Sequence, residues 1–208
     1  MNSHRVCPGI LLVLMLASGN SMAASIPSPP LNTEPASTAL VFYAQSEMSE
    51  DLWPILFAAL RADLAEGSVA LEKNPVLVRG SQDLGGVSFQ QIVSVKLIGR
   101  CDLLPQANLA PEKGPLGWVL MVSGKIQPFV SINCARIAQV LRPVSAGLSK
   151  DGRQRAMAQA IAHVLIHEWD HIARQSSAHG GRGVTQAYLS VSDLVQEPGN
   201  SHLTSRNR

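Results

Sequence analysis

Residues 149–174 read SKDGRQRAMAQAIAHVLIHEWDHIAR. Within this run Ala156, Met157, Ala160, Ile161, Val164, Leu165 and Ile172 recur at steps that gather side chains on one face of an α-helix. Ser149 or Asp151 can cap the first turn, so the pattern predicts one long helix ending near Arg174.

Upstream of this helix the period changes. Residues 116–122 and 125–133 flank Ser123-Gly124, a hairpin signal, and Pro128 marks an edge or a bulge in the second arm. In residues 87–99, Val87, Phe89, Val93, Val95 and Leu97 alternate with Ser88, Gln90, Ser94 and Lys96, which predicts a half-buried strand. Residues 76–79 and 39–44 are shorter β-prone runs. Between these two, Leu52, Ile55, Leu56, Ala59, Leu60 and Leu64 have helical spacing. Ser49 is the expected N-cap, Glu50 and Asp51 favour the first turn, Pro54 falls early enough to be tolerated and Gly67 stops the run. Residues 134–141 read as a short helical piece ending near Pro143, and residues 102–115 as a loop. After the long helix come three glycines, Gly180, Gly181 and Gly183, and a last short apolar piece over 184–195. Strand, helix, strands, hairpin and long helix in that order predict an α+β fold: a small mixed sheet with one helix packed on it and a long helix carrying the chemistry.

The composition narrows the function. In 208 residues, 17 Lys+Arg face 15 Asp+Glu, for a net charge of +2, and 46% of residues are hydrophobic. Disorder needs low hydrophobicity and high net charge, and nucleic-acid binding needs a clustered basic excess, whereas Lys and Arg are scattered here. No apolar stretch reaches the 18 or more residues that suggest a membrane span. The first 23 residues follow the layout of a secretory signal: Arg5, a short apolar run over 6–17, then Ser21-Met22-Ala23. Expected organisation is therefore a signal over 1–23, a Pro-rich leader over 24–38, one domain over 39–195 and a disordered tail over 196–208. The protein is expected to be secreted or periplasmic, with no membrane span once the signal is cleaved. Cys7 would leave with the signal, and the remaining pair, Cys101 and Cys134, both at strand ends, suggests one disulfide, with two buried thiols as the alternative.

Four of the six histidines fall between His163 and His179. Among them, His167-Glu168-Trp169-Asp170-His171 spells H-E-x-x-H inside the long helix. Imidazoles at i and i+4 stand one above the other on a helix, close enough to share one Zn²⁺. Glu168 projects about 100° further round the axis, beside the metal, where a general base would take a proton from zinc-bound water. A third protein ligand is expected, and His179 is the candidate, the glycines after it allowing the chain to turn it back; Asp193 and Glu197 are the alternatives. His163, one turn before His167, is expected in the core or behind the ligands. Asp170 can orient a ligand imidazole or pair with Arg174, and Tyr188 can donate to an oxyanion or pack in the core.

On these residues the chain resembles the zincin superfamily of zinc metallopeptidases, in particular the metzincin branch and small secreted bacterial proteins carrying HExxH followed by a later His-Gly. The resemblance spans residues 39–195 in element order and implies a zincin-like fold, His167, His171 and His179 as zinc ligands, and Glu168 as catalytic base. Arg174 and Ser177 stand where metzincins place Gly and the third His, no methionine follows the motif, and Asp170 occupies a normally uncharged position. The expected function is a secreted zinc-dependent metallopeptidase acting on peptide or protein substrates, with the residues 116–123 strand bordering the cleft. The alternative is a secreted non-catalytic metal-binding or protein-interaction domain.

Overall fold

A β-branched and aromatic run such as ALVF cannot expose both faces in water, and here it forms the interior of a sheet. In the computed structural model, which describes residues 36–46, 48–66, 71–80, 88–103, 112–179 and 189–195, β1 (Ala36–Ala44) lies between β2 (Val76–Arg79) and β3 (Phe89–Ile98), parallel to both. Next to β3 comes β5 (Lys125–Asn133), also parallel, and at the edge β4 (Gly117–Val122), antiparallel to β5. The order is β2-β1-β3-β5-β4. Among the described residues four helices complete the α+β fold: α1 (Leu52–Glu66), α2 (Cys134–Ser145), α3 (Lys150–Arg174) and α4 (Val191–Val195). No helix among the described residues is long and apolar enough to cross a membrane.

Val93, Val95 and Leu97 of β3 and Val130 and Ile132 of β5 point into one core with Leu40 and Phe42 of β1 and the apolar faces of α1, α2 and α3. The alternation expected of β3 holds from Val93 to Leu97, whereas Phe89 is half-buried against a second cluster of Ala39, Val41 and Val78; Val87 lies outside the described residues. The turn between β4 and β5 places both Ser123 (φ 50°) and Gly124 (φ 74°) in the left-handed region, as a two-residue hairpin loop requires. Pro128 sits in an irregular stretch of that hairpin: the register passes from Val119 opposite Val130 to Met121 opposite Ile126, so β5 bulges where its proline has no N–H to give. Pairing of β5 with β3 begins only after it, at Phe129.

Parallel pairing also explains the disulfide. Ile98 stands opposite Asn133, so the two strands leave the sheet side by side. Cys101 and Cys134 follow within three residues and are bonded, with Cα atoms 4.7 Å apart. A covalent tie over 33 residues fits a protein of an oxidising compartment.

Three local expectations are corrected. The Ser49 side chain does not cap α1: the helix starts at Leu52, with the Leu52 N–H donating to the Ser49 carbonyl, and Glu50 turns away to pair with Arg79 at the end of β2. Pro143 does not end α2, which runs to Ser145, because its missing N–H falls in the last turn where one lost bond is a small cost. β1 begins at Ala36, before the run at 39–44, since Ala36 and Thr38 find partners in Phe89 and Gln91. The signal-like segment and the tail from residue 196 lie outside the described residues.

Candidate metal centre

Helix α3 has the boundaries its sequence sets out. Ser149 is the N-cap, its hydroxyl accepting from the Gly152 N–H at 3.1 Å, and Asp151 stands in the first turn. The helix is more enclosed than one apolar stripe suggests, since every residue from Ala160 to Ile172 is buried. It packs on β5 and β4 and is flanked by α1, α2 and α4. Polar side chains in that stretch therefore need partners or a cavity.

His167, His171 and His179 meet. Their candidate ligand nitrogens all lie within 4.8 Å of one another, and the Nε2 atoms of His167 and His171 are 3.2 Å apart. His171 Nδ1 lies 2.7 Å from the Ser176 carbonyl. A carbonyl only accepts, so Nδ1 donates, and in neutral imidazole Nε2 is left as a lone pair aimed at the cluster. The three side chains could hold a metal ion.

One turn that brings His179 back lies before it, at the end of α3. Gln175 ends α3 in the left-handed conformation (φ 49°, ψ 40°), uncommon for a side-chain-bearing residue. Its amide Nε2 secures the turn by donating to the carbonyls of Ile126, at 3.0 Å, and Ile172, at 2.9 Å. The chain reverses there, bringing the Ser176 carbonyl under His171 and His179 over the cleft. Gly180, Gly181 and Gly183 lie outside the described residues, as do Tyr188 and Glu197.

Glu168 is buried against the edge strand. A Cβ placed on Gly117 of β4 would lie 2.5 Å from Val164 Cγ1 and 3.1 Å from both Cγ and Oε1 of Glu168, so only glycine lets this backbone come so close to the carboxyl. Burial pushes the Glu168 carboxyl up to about 7, because the charged form loses its water. Glu168 and the three histidines open on one cleft of ≈ 740 Å³, whose walls include Leu116, Gly117 and Val119 by β4, Arg136 and Val140 on α2, and Leu189.

The other singled-out residues have different occupations. Asp170 accepts from Arg174 Nε at 2.7 Å, resolving its two readings in favour of the i,i+4 pair. His163 faces away from the cleft, with Nε2 2.9 Å from Gln159 Nε2 and 3.4 Å from Asp63 Oδ2 of α1. Asp193 accepts from the N–H and hydroxyl of Ser190 at the start of α4 and is not a member of the cluster. Sequence reasoning missed Gly117, Arg136 and the Ser176 carbonyl. A glycine opening a strand was a visible signal for the first; a backbone carbonyl carries no signal in its residue type. Compared with protein-family models, curated proteins and solved structures, the chain matches none of them, so its chemistry has to be read from these residues.

Proposed function

We propose that the protein is an exported zinc-dependent peptidase. The observation that carries this reading is the meeting of three imidazoles beside a buried carboxyl at one cleft. Three nitrogen donors with room for a further ligand are the donor set of catalytic zinc. Tetrahedral bonds of about 2.05 Å would separate two ligand nitrogens by about 3.3 Å, and His167 and His171 already stand at 3.2 Å. When bound, the ion supplies Lewis-acid polarisation of the scissile carbonyl and acidifies water.

The chain's own residues supply the rest. His171 is held in one tautomer by Ser176. A carboxyl raised toward neutrality is suited to both halves of proton transfer: Glu168 accepts a proton from attacking water at a carboxylate oxygen and returns it to the leaving amine. Its burial against Gly117 fixes its position relative to β4. β4 is an edge strand, so the side away from β5 can take up an extended peptide by strand addition, which would lay a scissile bond along the cleft. The disulfide and the signal-like residues 1–23 support export.

The test is Glu168→Gln in zinc-loaded protein, assayed on casein and a peptide library. Hydrolysis is expected to fall by about 10²–10⁴-fold, the contribution of a positioned base, with zinc content by mass spectrometry unchanged. Undiminished hydrolysis in the variant would refute the role of Glu168; wild type that binds zinc and cleaves no peptide would leave a metal-binding domain without turnover.

A further inference from the structure

Arg136 is set against the electrostatics of its own helix. It is the third residue of α2, whose first turn contains no acidic residue, and the exposed N–H groups of a helix start make that turn unfavourable for a cation. The Asn133 side chain already caps the helix by accepting from the Arg136 N–H at 3.0 Å, so the guanidinium has no role in the cap. Among the described residues its side-chain partner is the neutral Gln139 amide oxygen, at 2.7 Å, and no carboxylate pairs with it. A cation kept at a local electrostatic cost, and not neutralised, marks a position selected for something other than helix stability.

Its place in the molecule says for what. Arg136 and Val140, one turn apart, line the same cleft as Glu168 and the histidine cluster, while Ile137 and Leu141 on the same helix are buried in the core. Among the described residues of that lining, Arg136 is the one permanently charged cation, and Glu168 the one acid. The neighbouring walls, with Leu116, Val119, Val140, Val164 and Leu189, are apolar, which strengthens a charge pair formed against them. A guanidinium fork matches a carboxylate in two parallel hydrogen bonds. Gln139, which holds one arm of the fork, pre-orients it.

We infer that Arg136 selects substrates that carry a carboxylate beside the scissile bond, either an acidic side chain or a free carboxyl terminus. This assignment rests on the peptidase reading for the word substrate, and the contact itself is one of binding. It is tested on the full-length zinc-loaded chain carrying Glu168→Gln, which holds peptides without turning them over. Three fluorescein-labelled pentapeptide pools of the same apolar composition are titrated by fluorescence anisotropy: one with Gln and an amidated terminus, one with Glu and an amidated terminus, one with Gln and a free terminus.

One of the two carboxylate pools is expected to bind about tenfold tighter than the neutral pool, the size of a charge-assisted bidentate contact, and which one identifies the source of the carboxylate. Adding Arg136→Gln should bring that ratio close to one. Adding Arg136→Lys, which keeps the charge and loses the fork, should leave a preference of a few-fold and shows that the effect is not misfolding. Equal binding of the three pools, no binding of any pool, or a preference that survives Arg136→Gln overturns the inference. Pools bound with the expected preference but never cleaved by wild type would instead sink the peptidase reading and leave this one standing.

Discussion

Helix α3 carries buried histidines at two sites one turn apart, the second completed by the exposed His179 beyond the helix, and the two sites are framed in different ways. At His163 the helix meets α1: Gln159 Nε2 donates to both carboxylate oxygens of Asp63, at 2.9 and 3.0 Å, and His163 completes the group, with both Asp63 and His163 side chains 8% exposed. At His167 the helix meets a cleft, and its partners are two further imidazoles. Residue type, helix and burial are shared. What differs is the facing element: α1 brings a carboxylate to His163 Nε2, whereas β4 brings a glycine whose backbone packs against Glu168 at the wall of the cleft that the cluster lines. Whether a buried histidine is a structural polar group or a candidate ligand is decided by what packs opposite it.

Substituting each cluster in turn should separate them most sharply. His167→Ala removes a donor, and zinc affinity is expected to fall by more than the 10–100-fold that loss of a supporting partner costs, with stability of the metal-free chain little changed. His163→Ala should do the reverse: zinc stoichiometry stays at one, while urea unfolding loses about 3 kcal/mol because Asp63 is left buried without its imidazole. Zinc loss in the His163 variant at an unchanged unfolding midpoint would merge the clusters into one functional unit.

The open cluster should also have a pH signature. Burial raises Glu168 from 4.5 to about 7, so between those values the folded chain holds a proton that the unfolded chain has released. The stability tied to that proton is complete below pH 4.5, declines as pH rises and is gone above about 7, a span of roughly 3 kcal/mol. Chelator-treated protein followed by urea titration across this range should show the decline, and Glu168→Gln should flatten it. A neighbouring divalent cation favours the carboxylate, so the decline should shrink in loaded protein. A metal-free profile identical in wild type and variant would show that Glu168 is better solvated than its burial implies.

Features written into neighbouring residues were legible before any coordinates. The extent of α3 follows from its period and its Ser149 cap, the hairpin from Ser123-Gly124, and the first two imidazoles from a spacing that any α-helix superposes. His179 was legible more weakly, as a nearby donor, and the left-handed turn at Gln175 that precedes it was not, since its residue type does not favour that conformation. That conformation is held by the Ile126 carbonyl, 49 residues away. Asp63 reaches Gln159 across 96 residues, which no local pattern encodes. The enclosure of α3 on all sides was likewise invisible, since a periodic stripe reports one face and Ala158, Ala162, Trp169 and Asp170 are buried by elements packed around the others. Contacts made by backbone alone, such as the Ser176 carbonyl on His171, leave no residue type to read.

The smallest change proposed bears on the element that keeps the second cluster open. In Gly117→Ala the new methyl would meet Val164 Cγ1 at 2.5 Å, a contact that cannot persist, and Glu168 at 3.1 Å. Val164 is on a fully buried stretch of α3 and has little room to turn, so the relief has to come from β4 moving outward or Glu168 swinging aside. Overpacking of this kind costs about 1–3 kcal/mol. The two routes have separate consequences. If β4 moves, the hairpin loosens, stability falls and hydrolysis falls in proportion to the lost cleft wall. If Glu168 moves, hydrolysis falls by about a hundredfold, the loss that a displacement near 1 Å can cause, with zinc still bound by the untouched imidazoles. The unfolding midpoint, zinc content and hydrolysis rate of the one variant distinguish the two routes. A variant equal to wild type in all three would mean that β4 does not press on Glu168, and the contrast between a histidine closed by α1 and a cluster framed by a glycine strand would lose its physical basis.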